Sequence, residues 1–198
     1  DTESTEKLLY VWQNSWGITT RTIGVMIMVH GDDQGLVLPP RVAAVQVVVI
    51  PTGLTVSTAA DVRTSVMDAA KGVFAALGQV GIRAHLDDRD SVTVGWKYND
   101  WELRGVPIRI EVGPRDVKSG SFVAVRRDNR AKTTHPLADA AASMQGLMDT
   151  MHNEMLAKAK GDLDAHTLIT TNWDEVRPAL DAKKIVMAPF CESKHCVE

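Results

Sequence analysis

The sequence has few cysteines and no excess of positive charge, and each shortage excludes a class of protein. Only two of its 198 residues are cysteines, Cys191 and Cys196, and a bridge between them would close a tiny loop. A disulfide framework is therefore excluded. The formal net charge of -3 argues against binding of nucleic acid over the whole surface, because phosphate neutralisation needs clustered lysine and arginine.

Long apolar runs are absent as well. The stretch 45–50 is far shorter than the roughly 20 residues that cross a bilayer, and the first residues show no secretory pattern. We therefore expect no membrane partner and a cytoplasmic location. With 44% hydrophobic residues and no low-complexity tract, the chain is expected to be globular, with one good core or two modest ones.

The local charge differs from the overall charge. Residues 97–132 contain nine basic and five acidic side chains, a local excess of four positive charges. This stretch is the place to look for a polyanionic partner.

From residue 42 onward, strand-like and helix-like patterns alternate. Strands are predicted at residues 45–50, 82–86, 108–112 and 122–127, with helices at about 59–77 and 96–103. Such alternation favours an α/β fold with a mixed, mostly parallel sheet of about five strands flanked by helices. Ser57 and Thr58 are candidate N-caps of the long helix, and Gly78 with Gly81 marks its end.

The preceding segment has a different pattern. Residues 8–12 are strand-like, and residues 23–30 form an apolar run long enough for a buried helix. Pro39 and Pro40 cannot continue a helix, so a boundary near residue 41 is expected.

The following segment begins with a helix at about 136–160, whose methionines are expected to pack in a core. A strand, a helix and a strand are predicted after it, at residues 166–171, 173–180 and 184–189. The chain is therefore divided into three parts, residues 1–40, 41–135 and 136–198.

Polar residues and one arginine precede the apolar helix, within residues 13–24. An arginine such as Arg21 can clamp a phosphate, since its planar fork offers paired donors and stays charged. Taken alone, a structural ion pair is the commoner role for Arg21, and Trp16 is more often core than substrate wall.

Residues 13–41, which contain the segments SWGITTR and GLVLPPR, closely resemble the third signature motif of eukaryote-type prolyl-tRNA synthetases and its exit loop. The resemblance implies a catalytic Arg21 and an ATP site that includes Thr19, Thr20 and Arg21. It implies a proline pocket lined by Ser15, Trp16 and Gly17. ATP and magnesium would act in the intact enzyme, which would be a homodimer.

Class II synthetases also use a second arginine-bearing motif and a dimer-forming motif, and neither is found in these 198 residues. We therefore expect this chain alone not to activate proline, although a fixed guanidinium would stabilise charge on departing pyrophosphate in the intact enzyme.

Residues 95–116, GWKYNDWELRGVPIRIEVGPRD, resemble the anticodon-binding domain shared by prolyl-, threonyl-, glycyl- and histidyl-tRNA synthetases, and the likeness is strongest over this stretch. The likeness extends over residues 41 to about 135. Contacts to anticodon bases are implied for five residues, Glu102, Arg109, Arg115, Asp116 and Lys132.

The implied set suits guanine, and the tRNAs for proline have two guanines in common in their anticodons. Carboxylates accept from the N1 and N2 edge of a splayed guanine, while arginine donates to O6 and N7. Without the resemblance, a solvated face with ion pairs is the simpler interpretation of Glu102, Arg104, Arg109 and Glu111.

Other side chains of this stretch could support such binding. Phosphate contacts are predicted for Lys97, Arg104, Lys118, Arg126, Arg127 and Arg130. Stacking on unpaired bases is predicted for Trp96, Tyr98 and Trp101, with core packing expected for at least one of them.

Cys191 and Cys196 provide half of a zinc site, because structural zinc takes four ligands. The prolyl family implies a structural zinc in a C-terminal domain of the intact protein. His195 is available as a third ligand, but we expect no zinc or other cofactor bound to this chain alone.

The resemblance thus implies part of a proline–tRNA ligase, which joins proline to its tRNA through prolyl-adenylate, with anticodon recognition as the role of this chain. Two alternatives remain open: a tRNA-binding accessory module without catalysis, and a fragment of another class II synthetase. Residues 13–23 argue against the accessory module, because a pure binding module has no need of an ATP-site strand. Amino-acid-dependent activation assays on the full-length enzyme would decide whether another class II synthetase is the parent.

Overall fold

A five-stranded sheet forms the centre of the computed structural model, which describes residues 13–55 and 57–189. Its strands are β1 (Val47–Pro51), β2 (Ala84–Leu86), β3 (Ile108–Val112), β4 (Ser121–Arg126) and β5 (Lys132–Pro136). The helices are α1 (Arg21–His30), α2 (Ala60–Gln79), α3 (Val94–Leu103), α4 (Pro114–Ser119), α5 (Ala140–Ala165) and α6 (Trp173–Asp181).

The strand order is β2-β1-β3-β4-β5. β2, β1 and β3 are parallel, β4 is antiparallel to β3, and β5 is antiparallel to β4. Four of the five strands therefore run in one direction, which confirms the predicted mixed α/β sheet flanked by helices. Of these strands, only β5 has no counterpart among the predicted ones, and its side chains are mostly exposed.

The two faces of the sheet differ. On the covered face, Val49, Ile110 and Phe122 pack against α2 and α5, for example against Val73 and Met144. The opposite face carries α3 and the side chains of Arg109 and Glu111, and we refer to it as the open face. There α3 packs on β1 through Val48, Ile50, Trp101 and Val106. β1 is buried over its whole length because helices lie on both of its sides, so its sequence reads as a continuous apolar run.

Strand β3 alternates between the faces because successive side chains of a strand point in opposite directions. Ile108, Ile110 and Val112 are buried, and Arg109 and Glu111 between them are half-buried. The register therefore carries charged groups onto the open face in the middle of the sheet.

Helix α2 is present where predicted, but its predicted N-caps are wrong. The capping position is Ala59, and no side chain makes a capping hydrogen bond. The Thr58 hydroxyl instead accepts a hydrogen bond from the Thr55 N–H at 2.8 Å, within the preceding turn. At the other end, Gly81 has a φ of +79°, which fits its predicted role as the helix stop.

Helix α1 is also present, but the prediction that it is buried is wrong. None of its residues is buried, and Met28 is 79% exposed. His30 lies near Lys158 and His152 of α5, whereas no element among the described residues covers Ile23 and Met28. The predicted strand at residues 8–12 lies outside the described residues.

The last segment forms a small strand–helix–strand unit, as predicted. β6 (Thr167–Ile169) and β7 (Ile185–Met187) pair in parallel, and α6 connects them. α5 precedes this unit and buries Met144, Met148 and Met151, which confirms their predicted core role, and it also buries Met155. The division of the chain at residues 40 and 135 stays a prediction. No helix of the described residues is long and apolar enough to cross a membrane.

Candidate nucleic-acid interface

Arg109 lies at the centre of a charged group on the open face of the sheet. Its Nε–H donates to Glu111 Oε1 at 3.0 Å, and an Nη1–H donates to Glu102 Oε1 at 3.3 Å. Its guanidinium carbon lies over the Tyr98 ring, 3.9 Å from the ring centroid. We refer to Tyr98, Glu102, Arg109 and Glu111 as the Arg109 cluster. Three partners in different directions fix the plane of the guanidinium.

Local periodicity explains why these four residues meet. Arg109 and Glu111 are two apart on β3 and therefore share a face. Tyr98 and Glu102 are four apart on α3 and therefore share one side of the helix. Packing of α3 on β1, the neighbour of β3, then brings the two pairs together.

Burial, followed by the nearby charge of Glu111, raises the pKa of Tyr98 far above its ordinary value, although Arg109 acts in the opposite direction. The phenol therefore stays protonated at physiological pH. Its ring offers Arg109 a neutral aromatic face.

α3 itself is anchored by a buried carboxylate. Asp87 follows β2 and accepts hydrogen bonds from Arg89 Nη2 at 2.6 Å and from Trp101 Nε1 at 2.8 Å. The Lys97 ammonium donates to the Asp87 carbonyl at 3.0 Å. Burial would raise the pKa of Asp87, but the hydrogen bonds from Arg89 and Trp101 and the charge of Lys97 outweigh it and hold the pKa well below its usual range.

Asp116 and Lys132 lie around the Arg109 cluster. Asp116 Oδ2 accepts from the Gly113 N–H at 2.8 Å, which stabilises the start of α4, and its charge acts on Tyr98. Lys132 on β5 lies opposite Val125 on β4, which lies opposite Arg109 on β3. Lys132 is therefore on the open face, two strands or about 10 Å from Arg109.

The five residues predicted to contact anticodon bases are thus not equally close to one another. Glu102 and Arg109 are in contact, and Asp116 and Lys132 border them. Arg115 is exposed on α4, and no ion pair among the described residues joins it to the Arg109 cluster. Glu111 was identified only as part of a solvated face, although its spacing of two from Arg109 could have placed it in the site.

Several supporting roles predicted from the sequence are wrong. Lys97, Arg126 and Arg127 are buried and bound to carboxylates of the protein, so they are not free to hold phosphates. Trp101 is buried in the core, as expected for at least one aromatic residue of this stretch. Tyr98 lies beneath Arg109. Trp96 is 47% exposed, and the Arg89 guanidinium carbon lies 5.1 Å from its ring centroid.

No hydrogen bond or ion pair among the described residues joins the N-terminal motif to the Arg109 cluster. Residues 13–19 form neither helix nor strand, Thr20 is the N-cap of α1, and Arg21 is its first residue. Ser15, Trp16, Gly17, Thr19, Thr20 and Arg21 are all exposed. Trp16 is 95% exposed, so no described residue forms a wall against it.

The predicted zinc ligands Cys191 and Cys196, with His195, lie outside the described residues. Within residues 13–55 and 57–189, no three His, Cys, Asp or Glu side chains are grouped so that they could hold a metal. The zinc site stays a prediction.

Comparison with known proteins gives a family for the central part of the chain and several similar proteins. Residues 46–147, more than half of the 198, match the family model described as anticodon binding domain. The bifunctional glutamate/proline–tRNA ligase of Drosophila melanogaster is 52% identical over 192 residues, which are 97% of this chain and 11% of the relative.

Two further relatives carry the name proline–tRNA ligase. The protein of Encephalitozoon cuniculi is 46% identical over 98% of this chain and 39% of its own length. The Arabidopsis thaliana protein, named as cytoplasmic, is 46% identical over 93% of this chain and 34% of its own length. The chain therefore spans between 11% and 39% of these three relatives.

The matched residues contain the whole central sheet, α3 and the Arg109 cluster. This agreement confirms the resemblance that residues 95–116 carry. The chain belongs to the anticodon binding domain family.

Proposed function

We propose that the chain is the anticodon-reading part of a proline–tRNA ligase and that the Arg109 cluster reads guanine in the anticodon of the tRNA for proline. The observation that supports this proposal is the fixed pair of Arg109 and Glu102, whose side chains are 12% and 30% exposed. Guanine carries two acceptors on one edge and N–H donors on another, so an arginine and a carboxylate held together match it.

Each residue then has a defined role. Glu102 Oε1 accepts from Arg109, and Oε2 is left to accept from N1 and N2 of guanine. Arg109 uses Nε and Nη1 within the cluster, which leaves Nη2 to donate to O6 or N7. Lys132, Arg115 and the second carboxylate oxygen of Asp116 extend the contact around the bases.

The parent activity follows as part of the same proposal. In the intact enzyme, Thr19, Thr20 and Arg21 hold ATP, and Ser15, Trp16 and Gly17 line the proline pocket. The start of α1 suits an anion, because it has Arg21 and no acidic residue in its first turn. ATP, bound with magnesium, supplies the activating group for the proline carboxylate.

On the same resemblance, the intact enzyme is proposed to be a homodimer with a structural zinc that is held in part by Cys191 and Cys196. This chain alone is proposed not to activate proline. A cytoplasmic location is supported by the name of the Arabidopsis relative.

The test is the affinity of the 198-residue chain for an anticodon stem-loop of the proline type. A second stem-loop has its two shared guanines replaced by adenine, and both are measured at low and moderate salt. We expect the guanine form to bind about tenfold or more tightly, since a good bidentate base contact discriminates by about 1–3 kcal/mol.

The variants Glu102→Gln and Arg109→Gln should bring the two affinities towards equality. Arg104→Gln is the matched control, because Arg104 is exposed, ion-paired to Asp100 and outside the Arg109 cluster. It should weaken both stem-loops alike through the lost charge. Equal binding of both stem-loops by the unaltered chain would contradict base readout and leave only a phosphate-binding surface.

A further inference from the structure

Arg127 lies outside the Arg109 cluster, yet it contacts the main chain of one of its members. Its side chain is 3% exposed, and its Nε–H donates to the Glu102 carbonyl oxygen at 3.1 Å. Its Nη1 and Nη2 groups donate to the two carboxylate oxygens of Asp32 at 2.8 and 2.6 Å. One buried guanidinium therefore joins α3 to the loop that contains Asp32, which is 95 residues from Arg127 in the sequence.

Asp32 is held in a tight turn. Its Oδ1 also accepts from the Gln34 N–H at 2.9 Å, and its main chain exchanges two hydrogen bonds with Gly35, both at 3.2 Å. The hydrogen bond from Arg127 lowers the pKa of Asp32 to about 2, so the carboxylate is charged under physiological conditions. The pair is a bidentate, charge-assisted contact, which is the strong and directional kind.

The same loop is bonded to the end of α3. The Leu36 N–H donates to the Leu103 carbonyl at 3.1 Å, and the Leu38 N–H donates to the Gly105 carbonyl at 3.2 Å. A Cβ on Gly105, whose φ is +70°, would lie 2.6 Å from Leu36 Cβ, and a Cβ on Gly35 would lie 2.7 Å from Leu103 Cα. No side chain larger than hydrogen fits at either position.

The last carbonyl groups of a helix have no partner within the helix. At the end of α3 the carbonyl of Glu102 accepts from Arg127 and from the Gly105 N–H, and that of Leu103 accepts from Leu36. These bonds keep the last turn of α3 from fraying, and Glu102 lies on that turn. A carboxylate that reads a base must be held to within about 0.5 Å, so its backbone support matters.

We infer that Arg127 is a positioning residue for base readout, and that its ion pair with Asp32 makes the turn 32–35 part of the anticodon-reading unit. The inference rests on the proposed function, because Glu102 must first read a base. Arg127 itself touches no RNA, since it is enclosed by protein.

The decisive variant is Asp32→Asn, with Asp33→Asn as its control. Both carboxylates lie in the same exposed turn, both changes remove one negative charge, and only Asp32 is bound to Arg127 among the described residues. The 198-residue chain and both variants are titrated with the guanine and adenine stem-loops, and circular dichroism checks that each is folded.

We expect Asp32→Asn to lower the guanine-over-adenine affinity ratio about fivefold relative to Asp33→Asn, as for one weakened polar contact. The dependence of binding on salt should be the same in the two variants, because their charges are equal. Arg127→Lys, which keeps the charge but cannot reach Asp32 and Glu102 together, should lower the ratio in the same way.

Two results would overturn the inference. If Asp32→Asn lowers the thermal midpoint but keeps the ratio of Asp33→Asn, the ion pair serves stability alone. If the unaltered chain binds both stem-loops equally, the proposed function itself fails. The guanine-over-adenine ratio of the unaltered chain thus distinguishes failure of the inference from failure of the proposed function.

Discussion

The two faces of the central sheet are built from the same strands but hold their helices by different kinds of contact. On the covered face, α2 and α5 are held by apolar side chains such as Val73 and Met144. On the open face, α3 is held by Trp101 and Val106 together with the buried Asp87. Apolar contact is non-directional and supplies stability, whereas hydrogen bonds and ion pairs fix orientation. The face with directional contacts is the one that carries the Arg109 cluster.

The largest expected effect comes from Ile110→Ala on the covered face. Ile110 is completely buried, and removal of its side chain leaves a cavity, so the free energy of unfolding should fall by about 3 kcal/mol. Urea denaturation followed by circular dichroism measures the loss. The guanine-over-adenine ratio should stay unchanged under conditions in which the variant is folded.

Arg109→Gln, one residue away on the same strand, is the matched change on the open face. It should abolish the guanine preference and reduce stability by about 1 kcal/mol. Loss of the preference in fully folded Ile110→Ala would show that the two faces are not independent.

An intermediate effect is expected from Asp87→Asn, which weakens the anchor of α3. The free energy of unfolding at pH 7 should fall by about 2 kcal/mol, because Arg89, Lys97 and Trp101 lose a charged acceptor. The pKa of Asp87 is lowered in the folded state, so its contribution is present above the unfolded value of about 3.9 and is lost as the pH falls below it.

Denaturation curves at pH 7, 5, 4 and 3 give the check on this anchor. The unaltered chain should lose more stability than Asp87→Asn between pH 5 and pH 3. Parallel loss in both proteins would mean that Asp87 does not anchor α3 through its charge.

The smallest effects are expected at Tyr98. Tyr98→Leu removes the ring beneath Arg109 and should lower the guanine-over-adenine ratio about threefold, which is the order expected for the loss of one cation–π contact. Tyr98→Phe keeps the ring and is the control. It should change the ratio by less than about twofold, and an equal loss in both variants would assign the effect to the hydroxyl.

Much of the sheet could be predicted because burial leaves a pattern in the sequence. β1 reads as a continuous apolar run, and β3 alternates, so both were located from hydrophobicity. β5 has the sequence KTTHP and is an exposed edge strand, and α4 has six residues and buries none. Neither leaves an apolar period, so neither was predicted.

The candidate site could be predicted only in part. The resemblance pointed to Glu102 and Arg109, which are in contact. That Tyr98 lies under Arg109 depends on the packing of α3 on β1, the neighbour of β3, which no local pattern fixes. The pair of Arg127 and Asp32 joins residues 95 positions apart, and its discovery required the structure.

Helix α1 shows the limit of hydrophobicity as a guide. Its run of apolar residues correctly predicted a helix and wrongly predicted burial, because a helix can bury its side chains only where another element covers it. Met28 and Val29 stay exposed among the described residues.

The position of Trp101 gives the protein a built-in optical probe. Its indole is buried, donates to Asp87 at 2.8 Å and lies 5.0 Å beneath the Arg104 guanidinium, one residue before Glu102. Trp16 and Trp173 are largely in water, and Trp96 is half in water, so their emission is red-shifted relative to that of Trp101. Among the tryptophans that the structure describes, changes at the blue edge of the fluorescence spectrum therefore report movements of α3, without a label and in the same cuvette as an RNA titration.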